Sequence, residues 1–490
     1  LDQLHCNALH SYLGSSSDVW NQPAPEETDL GEFLRQARDR GIGVWLTLGM
    51  GRLPIQDAQD ENFPQFDCVN NRWGRRWTEA LAKAARYPFA GLSMAPDEYN
   101  WNTHHVKQAF ADHPDAKVRE FYKELGPYCD CDRCRGRFQA KFGETFPEIP
   151  SGALPSADSA YRHWLRFRYD STTDWLRRSC AAVKQINPAV RTDSLICVTP
   201  ICSDFWYGPG LAWDRLGYEA GLEYATTDPY IQLHNYLGDS THWYVTETTE
   251  HLAAAGPLRR CGIVLEASRL RPEHREIDPV EIYGSALTAV WHGADELAWW
   301  HYSHVMDTSH TTDRPQASQA CVRGVYGLLE KIDPWLDGLR PQPGVAVLFS
   351  RASCDQWRVY LQAKDAQPPF DTRGITDPRH ASIVQKEALY LLLRTGVPST
   401  LYYLESVGKE ELSPHQVILA PLPLAVDQQQ VQLLTDLAEE GKRIVICGDA
   451  GSLDQDGTPH DQPALQSLLK NPQVAFVPAG ILDRLASNRD

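Results

Sequence analysis

Seven short apolar runs alternate with helix-like segments up to about residue 304, and this rhythm constrains the chain more than any other feature. The runs are HCNALHSY (5–12), GIGVWLTLGM (41–50), FAGLSM (89–94), RTDSLICVTP (191–200), EYATTDPY (223–230), GIVLEAS (262–268) and ELAWWHYS (296–303). Near-continuous apolarity over so few residues reads as strand buried on both faces, the pattern of a parallel sheet covered by helices. Between the runs lie segments of helical period, among them EETDLGEFLRQARDRG, a stretch near 75–86, a long one from Tyr161 that stops at Pro188, and PVEIYGSALTAVWHGA. Seven such units predict a (β/α)8 TIM barrel whose first strand lies before residue 1. A doubly wound sheet would call for a Gly-rich phosphate turn after an early strand, and the sequence has none.

DPWLDGLRPQPG (333–344) interrupts the rhythm with Pro and Gly, which predicts a barrel domain over 1–335, with an excursion at 102–160, and a linker at 336–343. The pattern restarts in GVAVLFS (344–350), VPSTLYYL (397–404), HQVILAPLPL (415–424) and RIVICGD (443–449), with helices near 380–395 and 427–441. This predicts a smaller flavodoxin-like α/β domain over 344–490. It carries no nucleophile elbow and no intact phosphate loop, so its expected role is packing or assembly.

With 490 residues, 42% of them hydrophobic and 23% charged, the chain can bury two cores. A net charge of −17 argues against a nucleic-acid backbone or an anionic membrane surface as partner, and suits a neutral ligand. No window approaches the roughly 18 uninterrupted apolar residues of a membrane span. The 12 cysteines are scattered apart from one cluster, which predicts reduced thiols and a cytoplasmic setting. The chain has neither an initiator Met nor a signal-like segment.

The third apolar run ends in Pro96, Asp97, Glu98, Tyr99 and Trp101. A lone acid at a strand end commonly starts a turn or caps a helix. A pair of acids followed by aromatics suits a sugar site better. Glu266 sits inside the otherwise apolar CGIVLEAS, where a carboxylate has to be paired, protonated or catalytic, since burying it alone costs several kcal/mol. Two acids on two strands, with Asp228 at the end of a third, fall at the carboxyl ends where barrel chemistry resides. Two carboxylates are also the minimum equipment of a glycosidase. Trp101, Trp206, Trp299 and Trp300 are candidate sugar platforms, and His10, His301 and His304 candidate pocket residues, with ordinary core packing as the alternative for each.

GPYCDCDRCRGRF holds Cys129, Cys131 and Cys134, a C-x-C-x2-C spacing whose thiolates can converge on one ion. Cys68 is the natural fourth ligand of a closed S4 site, which predicts a structural zinc tying the excursion to the loop at Cys68.

With these residues laid out, the sequence resembles the glycoside hydrolase family 42 β-galactosidases over almost its whole length. In that family a strand ends in Asn-Glu-Tyr with Glu as acid/base, matching Asp97, Glu98 and Tyr99, and a later strand carries the nucleophile, matching Glu266. The family's zinc cysteines map onto Cys68, Cys129, Cys131 and Cys134. Its flavodoxin-like trimerisation domain follows the barrel as 344–490 does here, so the resemblance implies a homotrimer. Three positions depart from the family pattern. Asp97 replaces its Asn, Pro64 replaces its Arg before the first zinc Cys, and its Glu-x-x-His survives only as Asp307 and His310.

The expected activity is therefore retaining glycoside hydrolysis of a β-galactoside-like substrate, with Glu266 as nucleophile and Glu98 as acid/base. Asp97, Tyr230, Trp101, Trp300, Asp307 and His310 are the expected substrate contacts. No cofactor beyond structural Zn2+ is implied. The alternative is a catalytically silent carbohydrate-binding or scaffold protein that keeps the barrel and the zinc, to which Asp97 lends weight.

Overall fold

A computed structural model gives the fold and describes residues 7–13, 29–49, 68–70, 72–95, 131–147, 158–196, 198, 201, 210–232, 239–255, 260–269, 274–300, 315–336, 344–363, 367–372 and 374–478. The chain forms two compact units: residues 1–129, 171–198 and 215–339 make one, and 130–170, 199–214 and 340–490 the other.

The first unit holds seven parallel strands in chain order: β1 (Ala8–Leu13), β2 (Gly43–Gly49), β3 (Gly91–Ala95), β4 (Arg191–Ile196), β5 (Ala225–Thr227), β6 (Cys261–Glu266) and β7 (Glu296–Trp300). They are the seven apolar runs of the sequence, each shorter than its run. The register is regular, with Leu46 of β2 opposite Ser11 of β1 and Leu92 of β3. His10 of β1 hydrogen-bonds Glu296 of β7, so the first and last strands come within side-chain reach and the sheet is a nearly closed barrel. A polar layer lines these strands: buried Asp193 of β4 accepts a bond from Thr226 Oγ1 of β5 at 3.0 Å, and Ser93 Oγ of β3 accepts the Leu195 N–H at 3.1 Å. Gly91 is required by a close approach, because a Cβ there would stand 2.1 Å from the Trp45 ring.

Crossover helices supply the apolar cover: α1 (Asp29–Asp39), α2 (Arg72–Ala84), α5 (Asp239–Ala253), α6 (Pro279–Trp291) and α7 (Pro315–Leu336). α6 begins where the sequence encodes a start. Asp278 and Glu281 form a reciprocal capping box and Pro279 occupies the first turn, where its missing N–H costs nothing. α7 runs past the expected end of the domain at 335 and carries Pro334 in its last turns. Of the expected linker at 336–343, Leu336 is the last residue of α7 and 337–343 lie outside the described residues.

The second unit contains α3 (Asp132–Phe142), the first part of α4 (Ser159–Ile186), and a five-stranded parallel sheet ordered β12-β11-β10-β8-β9. Its strands are β8 (Val345–Phe349), β9 (Ser399–Tyr403), β10 (Val417–Pro421), β11 (Arg443–Gly448) and β12 (Val474–Pro478). Read from the other edge, the order is the flavodoxin-like 2-1-3-4-5. Ala346, Leu348, Ile418, Ala420, Ile444 and Ile446 form its core with Leu434 and Leu437 of the helix Gln428–Glu439.

β12 and the helix Arg351–Gln362 that follows β8 are not among the elements expected from the sequence. The helix reads as a polar stretch, yet Arg351, Asp355 and Gln356 are buried. Arg351 bonds Asp214 at 2.6 and 3.3 Å and Asp355 at 2.9 Å, and its guanidinium stacks 4.3 Å from the Tyr169 ring centroid. Tyr169 donates its hydroxyl to Asp355 at 2.7 Å. A cation held by two carboxylates and a ring makes the burial of all three charges tolerable.

Candidate active site

β6 is apolar until its last residue, Glu266, which is only 5% exposed. Its side chain accepts the backbone N–H of Gln232 at 3.1 Å and that of Ile231, both in the turn that follows β5. The second carboxylate oxygen, Oε1, is buried and has no hydrogen-bond partner among the described residues. Burial pushes the carboxyl up to about 8. The bonds from Gln232 and Ile231 pull it back down, the charge of Asp228 adds to the rise, and that of Arg275 opposes it. A carboxyl poised this way at a strand end can hold a proton or attack an electrophile, depending on pH.

Asp228 and Tyr230 lie in the turn that presents those N–H groups, with the Tyr230 N–H bonded to the Asp228 carbonyl at 2.7 Å. Trp300 closes β7 opposite Glu266 and is 38% exposed. Its ring centroid lies 6.2 Å from that of Tyr230, tilted by 46°. Glu266, Tyr230 and Trp300, expected from three separate runs, are thus brought to the same end of the barrel. β3 ends at Ala95, and the expected Asp97, Glu98 and Trp101 lie outside the described residues, as do Asp307 and His310.

Two further candidates have partners among the described residues. Trp299, one residue before Trp300 and so on the opposite face of its strand, packs edge-on against Tyr326 of α7 at 6.4 Å. It is half-buried there. His10 is committed to Glu296, the first residue of β7. The histidine is held above its usual range: burial opposes the charge, but the bond and charge of Glu296, with Asp193, outweigh it. The residue that sequence reasoning missed is Gln232. Nothing in IQLHNY marks it, because its partner lies 34 residues away.

Cys68 is buried in the first unit, and in the second Cys134 is buried and Cys131 partly so. Three such thiols are a donor set that could hold a metal ion. The backbone N–H of Asn70 points to Cys68 Sγ at 3.4 Å, which would favour the thiolate. Cys129 lies outside the described residues.

No protein-family model matches the chain. Among curated proteins it is similar to the β-galactosidase BglY of Alicyclobacillus acidocaldarius, 20% identical over 383 residues, which are 71% of this chain and 52% of that one. The chain therefore spans about half the length of this relative. Among solved structures, a cold-adapted β-galactosidase from a Rahnella species superposes with a TM-score of 0.68 at 16% identity, over 96% of this chain and 70% of that one. A GH42 β-galactosidase from G. stearothermophilus gives 0.65 at 14% identity over 96% and 71%. A GH42 exo-carrageenase from Bacteroides ovatus gives 0.62 at 9% identity over 98% and 66%. Likeness of this extent across both units means that the chain has the fold of the glycoside hydrolase family 42 β-galactosidases.

Proposed function

We propose that the protein is a retaining glycoside hydrolase acting on a β-galactoside or a related glycoside. The observation that carries this reading is Glu266: a buried carboxylate ending a barrel strand, with one oxygen unpartnered among the described residues and the Trp300 indole opposite. In the proposed reaction Glu266 attacks the anomeric carbon while Glu98 protonates the departing oxygen. Glu98 then takes a proton from water as the glycosyl-enzyme is hydrolysed. Retention requires the two carboxyl groups to stand about 5 to 5.5 Å apart. Asp97, Tyr230, Trp101, Trp300, Asp307 and His310 are the proposed sugar contacts. The names of the structural relatives support the class of substrate.

A structural zinc on Cys68, Cys131, Cys134 and Cys129, and assembly as a homotrimer, belong to the same proposal. The ion would supply a fixed crosslink, with no part in bond cleavage.

The test is a panel of nitrophenyl glycosides including β-galactoside, α-arabinoside and β-fucoside, with the product anomer followed by NMR. Turnover with retention, abolished in Glu266→Ala, is the expected result. Wild type that binds galactosides without turnover would instead identify a silent carbohydrate-binding protein. Turnover that survives in Glu266→Ala would remove Glu266 as nucleophile.

A further inference from the structure

Glu266 is held by groups that do not belong to its own strand. Its bonds come from two consecutive backbone N–H groups, those of Ile231 and Gln232, so the position of that turn decides where the carboxylate points. The turn is itself anchored. The side-chain amide of Gln232, 7% exposed, donates to the backbone carbonyl of Arg275 in the loop between β6 and α6. Arg275 in turn makes two bonds to Glu281, at 2.7 and 2.5 Å. Glu281 also accepts the Asp278 N–H at 3.0 Å within the capping box of α6. A continuous chain of bonds therefore runs from the start of a crossover helix to the carboxylate oxygen.

We infer that Gln232 is a positioning residue, which fixes Glu266 by tying the turn after β5 to the loop after β6. The inference rests on Glu266 being the nucleophile and goes beyond it by assigning a role to a residue two shells of bonding away from the sugar. The physical reason is that the turn has to hold two N–H vectors on one oxygen set, and a mobile turn would let them swing away. The Gln232 side chain removes that freedom by crossing between two loops. Charges facing Glu266 from the neighbouring elements are Asp228 in the turn and Arg275 in the loop, and the same tether holds both in place.

The experiment compares wild type with Gln232→Ala and with Gln232→Glu, which keeps the length and loses the donor. Each is read in two ways: kinetics on an aryl glycoside, and the pH midpoint of the Glu266 carboxyl followed by 13C NMR and assigned with Glu266→Gln. In both variants kcat should fall by about 10- to 100-fold while KM changes less than about threefold. The NMR midpoint should rise by about half a unit or more as the N–H bonds loosen. Glu281→Gln should lower kcat in the same direction, and combining it with Gln232→Ala should add little, because both cut one chain.

An unchanged midpoint together with an unchanged kcat would overturn the inference, as would fully additive losses in the double variant. A wild type inactive on every glycoside, with a midpoint that still moves in Gln232→Ala, would overturn the glycosidase reading and leave the positioning role standing. Should Gln232→Ala fail to fold, Gln232→Glu carries both readings.

Discussion

Glu266 and Trp300 are register partners at the carboxyl ends of β6 and β7, so the buried acid and the exposed indole lie on the same face of adjacent strands. An indole so placed can cover the apolar face of a sugar whose anomeric carbon lies over the acid. Trp300→Ala should raise KM on aryl glycosides by about tenfold, corresponding to roughly 1.4 kcal/mol, with a smaller change in kcat. Trp299→Ala should instead lower stability with little effect on KM, because Trp299 packs on Tyr326. Steady-state kinetics and thermal unfolding of the pair separate these outcomes.

The pH dependence follows from the burial of Glu266. As the proposed nucleophile Glu266 has to be ionised, and burial has pushed its carboxyl up to about 8. In the free enzyme, kcat/KM should therefore fall about tenfold per unit as pH drops below about 8. An acidic limb near pH 5 would mean that the site ionises Glu266 more readily than its surroundings allow.

Stability should respond to the same group in the opposite sense. The folded carboxyl titrates at about 8 against an ordinary 4.5, so the folded state binds the proton more tightly than the unfolded chain does. The Glu266 contribution is then fully present below pH 4.5 and is lost progressively as pH rises through about 8. Glu266→Gln removes this dependence. The variant should unfold several degrees higher than wild type above pH 8 and show no such gain near pH 4, as read by calorimetry across that range.

Loss of one thiol tests the metal proposal. Purified protein should carry about one zinc per chain, and Cys134→Ser should reduce that ratio and lower the unfolding temperature. Chelation should inactivate slowly, in step with loss of structure. Immediate and reversible loss of turnover on chelation, with the fold intact, would place the ion in the chemistry instead. Elemental analysis and circular dichroism report the two quantities.

Removing the guanidinium of Arg351 would strand two buried carboxylates. Arg351→Ala should destabilise the second unit by about 3 to 5 kcal/mol in urea denaturation, because Asp214 and Asp355 would keep their burial and lose their counter-charge. Arg351→Lys keeps the charge without the planar fork and should lie between that variant and wild type.

Local sequence determined the seven strands of the barrel, four of the five strands of the second sheet, and the presence of an acid where β6 should have been apolar. Those signals are carried by residues a few positions apart, since burial on both faces of a strand demands continuous apolarity and a violation stands out. The sequence did not by itself show that Trp299 turns toward Tyr326 of α7 while Trp300 shares a strand face with Glu266; the direction in which β7 faces decides this. Nor did it mark Gln232, whose carboxylate partner lies 34 residues away. The helix Arg351–Gln362 was illegible for the same reason, because Arg351 is buried only when Asp214, 137 residues earlier, closes over it. Periodicity fixes which way a side chain points, whereas the identity of the group it meets is set by the topology that brings distant segments together.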